Sequence, residues 1–252
     1  MSLTATSYLA EVRRVVDHIE KTQLEAVAEA GRLVADSIGA GGVLQAFGTG
    51  HSEALAMELA GRAGGFVPSN RMALRDLILL GGDARDSLAD PRIERQEGLA
   101  RRVYALSAVE PQDVFVIASS SGGNGAIVEM AEHVVAQGHK LVAVTSLEHT
   151  ARITPRHPSG KRLKDFADVV LDNGAPYGDA VLPLPDGPGN VCGISSVGNT
   201  VLGQAMVAEA IRLLLERGVT PPVYLSANAV GGDLHNDALE ARYAGRIRPS
   251  AA

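Results

Sequence analysis

Residues 116–125 read VIASSSGGNG. The run DVFVIA (113–118) is made of apolar β-formers and stops abruptly at three serines, two glycines, an asparagine and a glycine. AIVEMAEHVVAQG follows, and its periodicity predicts a helix to about Gln137. A buried strand thus feeds a polar, glycine-rich turn and then a helix. In a doubly wound sheet, ligands sit beyond the carboxyl ends of the strands. A helix starting there offers free backbone N–H groups and the positive end of its dipole, which suits an anion. Ser119, Ser120, Ser121 and Asn124 add short polar side chains, and glycine lets the backbone approach closely. Such a turn fits a phosphate monoester, and the same residues fit equally a plain helix cap. No Gly-Lys-Ser/Thr follows, so the turn is not a nucleotide P-loop, and Gly-x-Ser-x-Gly is absent, so it is not a nucleophile elbow.

The rest of the chain repeats the strand-then-helix alternation. VLQAF (43–47), KLVAVTS (140–146) and DVVLDN (168–173) read as further strands, with a shorter one near Phe66. Apolar residues at helical spacing predict one long helix or two over 4–38. A helix is expected near Leu74, another from Ile93 through YALSA, a long one from ISSVGN up to Gly218, and a last one after the PPVYLSANAVGG loop. GAPYGDAVLPLPDGPGNVCG reads as ordered loop, with DNGAPYGDA (172–180) placed to line a pocket at a strand end. The pattern implies an α/β protein with a mostly parallel sheet covered on both faces.

Composition narrows the function. The net charge of −6 argues against a generally basic nucleic-acid surface. One cysteine, Cys192, permits no intramolecular disulfide. There is no signal-peptide pattern and no apolar run of membrane-spanning length, so a cytoplasmic protein without a membrane partner is expected. His149 and His157 lie in a basic, proline-containing connector without tight ligand spacing, so neither a metal nor a cofactor is expected.

A second glycine turn, FGTGHSE (47–53), joins the first strand to its helix. It lacks the third glycine of a dinucleotide fingerprint, and Glu53 would repel a pyrophosphate. Thr49, His51 and Ser52 suit sugar hydroxyls, although a histidine in such a turn is also an ordinary cap.

FGTGHSE, ASSSGGNG and LVAVTS, in that order and at these separations, resemble the sugar isomerase (SIS) domain family over roughly residues 40–215. The resemblance implies a three-layer, flavodoxin-like fold: a five-stranded parallel sheet with helices on both faces and a long N-terminal helix. It implies an N-terminal helical segment at 1–40, the SIS domain at 41–220, and a C-terminal loop and helix at 221–252 that contributes to the site. It makes Ser119, Ser120, Ser121 and Asn124 phosphate ligands. A homodimer or homotetramer with active sites at the interface is implied too. The N-acetylmuramic acid 6-phosphate etherases of this family carry a catalytic glutamate before the serine-loop strand, which falls on Glu94. Glu97, one helical turn on, would share its face, and Glu58 falls near a second important glutamate. His235 corresponds to the C-terminal histidine that several family isomerases use for ring opening. For Glu94, Glu97 and His235 the residues alone also fit a solvated helix start and a cap loop. The expected function is a lyase or dehydratase acting on an N-acetylhexosamine 6-phosphate by C2 proton abstraction and C3 elimination. The alternatives are a phosphoheptose isomerase-like aldose–ketose isomerase and a non-catalytic sugar-phosphate-binding module.

Overall fold

The computed structural model describes residues 3–90 and 92–248; the outermost positions of the 1–40 and 221–252 segments lie outside them. The N-terminal segment forms two helices, α1 (Ala5–Thr22) and α2 (Leu24–Gly39). Thr4 caps α1 by accepting the Ser7 N–H. Gln23 separates the helices, and its side-chain carbonyl accepts the Asp172 N–H, so the break is a tie to the sheet.

Five parallel strands form the central sheet: β1 (Leu44–Gly48), β2 (Ser69–Met72), β3 (Val114–Ala118), β4 (Lys140–Thr145) and β5 (Val169–Asp172), in the spatial order β2-β1-β3-β4-β5. Their side chains alternate between two cores. Leu44, Val114, Val116, Val142 and Val144 pack with α1, α2 and the long helix of the C-terminal half. Phe47, Phe115, Ile117, Leu141 and Ala143 pack on the opposite face with Ala126, Ile127, Met130 and Val134. Burial on both faces explains the unbroken apolar run of β3 and the full burial of β1, where Gln45 is the one polar side chain and donates to Asp113.

Between these strands lie α3 (Glu53–Leu59), α4 (Asp76–Leu79), α5 (Leu99–Ala105), α6 (Gly125–Ala136) and α7 (Leu147–Arg152). A hairpin of β6 (Ala180–Pro183) and β7 (Asn190–Gly193) follows β5, then α8 (Ser195–Glu216) and α9 (Gly232–Arg242).

Three local expectations change. The second strand begins at Ser69, not at Phe66, because Pro68 has no N–H for the ladder; Phe66 instead makes an isolated antiparallel bridge to Val223. The Gly- and Pro-rich stretch after β5 holds the β6–β7 hairpin. The helix expected from Ile93 is broken: a 3-10 turn spans Ile93–Arg95, and α5 starts only at Leu99. Gly98 sits at φ +83°, a left-handed conformation that ends regular structure.

Candidate active site

The order of the strands places the site. From β1 the chain moves outward to β2 on one side, while β3 lies on the other, so the switch point is at the carboxyl ends of β1 and β3. The two glycine turns leave the sheet at those ends. After β1 comes Thr49, which is buried, and a 3-10 turn over Gly50–Ser52. After β3 comes the serine loop, 119–124, and then α6.

Glu94 joins the two turns. Its carboxylate accepts the Thr49 hydroxyl at 2.7 Å through Oε2 and the Asn124 amide N–H at 2.7 Å through Oε1. Two local features hold it there. Gly125 opens α6 without a side chain, and a Cβ at that position would stand 2.7 Å from the Arg95 carbonyl oxygen, so only glycine lets the Ile93–Arg95 turn lie against the helix. Downstream, the buried Glu129 of α6 accepts the Gly98 N–H at 2.8 Å and the Ala100 N–H at 3.0 Å, capping α5 from another helix.

The serine loop is braced from β4 and α7. Thr145 donates to the carbonyls of Ser119 and Ser120, and Thr150 to that of Ser121. Ser119 is buried, and its Oγ accepts the Gly122 N–H at 3.0 Å, so this hydroxyl shapes the loop. Ser120 Oγ accepts a long 3.5 Å bond from Asn173, and Ser121 Oγ one of 3.5 Å from the Gly123 N–H. The hydroxyls of Ser120 and Ser121 are therefore weakly engaged within the chain.

A cavity of ≈ 210 Å³ opens beside the loop, lined by Ser121, Gly123, Asn124, His149, Ile153, Thr154 and Arg156. Its far wall comes from the connector after β4. Arg156 donates from Nη1 to Asn124 Oδ1 at 3.0 Å. His149 Nδ1 accepts the Gly178 N–H at 3.0 Å, and its ring packs on Tyr177, centroids 5.2 Å apart. Burial holds His149 below the ordinary histidine value, with Asp179 opposing the shift. Glu94 does not line this cavity; Asn124 links the two.

The other expected residues are dispersed. Glu97 is exposed in the bend before α5 and shares no helical face with Glu94, because the 3-10 turn bearing Glu94 ends at Arg95 and the backbone is extended at Gln96. Glu58 on α3 accepts the Gln204 amide of α8 at 2.8 Å and pairs with Arg62. His235 on α9 meets the Val223 carbonyl at 3.0 Å through Nε2. Among the described residues, neither Glu58 nor His235 is hydrogen-bonded to the Glu94 cluster. His51 is exposed and Ser52 half-buried, both beside Thr49 in the first turn. Glu53 pairs with Arg75, yet burial pushes its carboxyl up from the usual range. Among the described residues, no group of three or more His, Cys, Asp or Glu side chains converges as a metal site. Sequence reasoning passed over Arg156, His149 and Glu129 as site-shaping residues. The signal for the first two was the connector's density of basic groups next to a strand end.

The family model described as SIS domain matches residues 7–146. A UPF0309 protein of Listeria monocytogenes is 41% identical over 244 residues, covering 96% of this chain and 97% of that protein. Another, from Halalkalibacterium halodurans, is 36% identical over 243 residues, covering 96% and 99%. Among solved structures, a phosphoheptose isomerase from Francisella tularensis has a TM-score of 0.55 at 14% identity, covering 82% of this chain and 96% of that one. The phosphoheptose isomerase GmhA from Neisseria gonorrhoeae has a TM-score of 0.52 at 20% identity, covering 81% and 94%. At such identities the likeness concerns the fold, a five-stranded parallel sheet between helices. By its matched motifs, its relatives and its sheet, the chain belongs to the SIS domain family.

Proposed function

We propose that this protein is an enzyme acting on a phosphorylated amino sugar, an N-acetylglucosamine 6-phosphate or N-acetylmuramic acid 6-phosphate type of substrate, by carbon–oxygen elimination. The phosphate sits at the serine loop and the first turn of α6. Thr49, His51 and Ser52 face the sugar hydroxyls. Glu94 takes the C2 proton of the open-chain aldehyde, the C2–C3 double bond forms as the C3–O bond breaks, and the leaving oxygen keeps the bonding electrons and gains a proton.

The observation that carries this reading is the Glu94 carboxylate held between Thr49 of the first turn and Asn124 of the serine loop. A general base must reach its proton directly or through one water, and this residue belongs to both turns at the switch point. Its place before the serine-loop strand is also where the resemblance puts the etherase glutamate. Glu97 and Glu58 are assigned supporting roles at most, given their positions. The assembly proposed is a homodimer or homotetramer in which α1 and His235 approach a neighbouring chain. The test is a mass-spectrometric screen of amino-sugar and heptose 6-phosphates. The reading expects a product lighter by one water, or release of lactate from a 3-O-lactyl substrate; an isobaric product would make the enzyme an isomerase, and no product from any of them would leave a binding module.

A further inference from the structure

The connector between α7 and β5 carries a cationic group that the serine loop does not supply. Its first part is laid across that loop by main-chain bonds: the Arg156 N–H donates to the Gly123 carbonyl at 2.9 Å, and the Leu163 N–H to that of Gly122 at 2.8 Å. Arg162 staples the bend between them, donating from Nε to the Thr150 carbonyl and from Nη2 to that of Ile153. The Arg156 side chain is thereby held over the mouth of α6. One of its N–H groups is spent on Asn124 Oδ1, and among the described residues no carboxylate pairs with it. The remaining donors of the guanidinium fork are left for a ligand. This contrasts with Arg14, Arg32, Arg62, Arg212 and Arg246, each of which has an acidic partner.

His149 adds a neutral donor in the same cavity. Because Nδ1 accepts the Gly178 N–H, the proton of the neutral ring belongs on Nε2. The ring is fixed by Tyr177, over which Arg152 also lies at 5.6 Å from the centroid.

We propose that Arg156 and His149 are substrate-binding residues forming the second half of the phosphate site: Arg156 binds the phosphoryl oxygens through its free guanidinium donors, and His149 donates from Nε2. This rests on the reading of the serine loop as a phosphate site. An unpaired, planar cation beside hydroxyls and helix N–H groups fits a tetrahedral oxyanion better than a neutral sugar.

Calorimetric titration with inorganic phosphate tests it, using the full chain and its Arg156→Met, Arg156→Lys, His149→Phe and Ser121→Ala variants. Arg156→Met is expected to weaken binding by about 10- to 100-fold. Arg156→Lys should recover part of that loss, since it keeps the charge without the fork. His149→Phe keeps a ring against Tyr177 and is expected to weaken binding by about threefold to tenfold. Arg156 is exposed, so its unfolding midpoint without phosphate should stay at the wild-type value, separating lost binding from lost structure. If Arg156→Met and His149→Phe bind phosphate as wild type while Ser121→Ala does not, this inference is overturned and the serine-loop reading stands. If wild type binds no phosphate, both fall.

Discussion

At the scale of single residues, the three serines have different tasks although the sequence presents them as equals. Ser119 is buried with its oxygen accepting the Gly122 N–H, so Ser119→Ala strands a buried donor and should cost about 1–2 kcal/mol of stability, read by denaturant unfolding. Ser121 lines the cavity and is only weakly held. Ser121→Ala should leave the unfolding curve in place and weaken sugar-phosphate binding by about tenfold, checked by titration. Equal effects of the two substitutions on binding, with none on stability, would contradict this division. Residue types and order sufficed to locate the loop, because a strand end followed by Ser, Gly and Asn has few uses. Which hydroxyl turns inward depends on Thr145 and Thr150, contributed by later elements, and no local pattern carries that.

At the scale of elements, the segment from Ile93 is the instructive one. Its apolar spacing and its charges suit a continuous helix, which would align Glu94 with Glu97. The backbone turns extended at Gln96 and left-handed at Gly98 before α5 begins, and the cap of that helix is Glu129, a residue on the far side of β3. A cap supplied across such a separation leaves no trace in the local sequence. Glu129→Ala should leave the Gly98 and Ala100 N–H groups unpaired and lower stability by about 1–3 kcal/mol. It should also reduce turnover, because the turn bearing Glu94 leans on the same helix; Glu97→Gln, at an exposed position, should change neither. Unfolding curves and steady-state rates on the three proteins check this. An inactive Glu97→Gln enzyme would place the base on Glu97, outside the Thr49–Asn124 clasp, and undo the assignment of Glu94.

At the scale of the whole molecule, the alternation of strands and helices and the unbroken apolar runs were enough to read a doubly covered parallel sheet. The least legible part was how the C-terminal tail closes the structure. Arg246 reaches the fully buried Asp113 at 2.6 Å, and Arg248 reaches the buried Asp76 at 2.8 Å, across most of the chain. Arg246→Met should destabilise the protein by about 3 kcal/mol, since a buried carboxylate loses its cation. Burial also holds His133, His139 and His149 below the ordinary histidine value of 6.5. The folded form therefore binds fewer protons than the unfolded one just below that value, and this stability is present above it and lost as the pH falls. The melting temperature should decline as the pH is lowered from about 7 to about 5. His139→Gln should flatten part of that decline. Asp165 and Asp168 act in a separate, more acidic window: burial pushes them up, their lysine and backbone partners outweigh it, and the stability they give is lost only as the pH falls below 3.8.

Whether Glu94 is the base is decided by product formation from N-acetylhexosamine 6-phosphates by wild type and by Glu94→Gln, followed by mass spectrometry, with phosphate binding measured on the same samples. Glutamine keeps the shape but cannot take a proton at neutral pH. Turnover should fall by about 10²–10⁴-fold while phosphate binding survives. A Glu94→Gln protein that forms product at the wild-type rate would contradict this assignment and send the search for the base to Glu58 and His51.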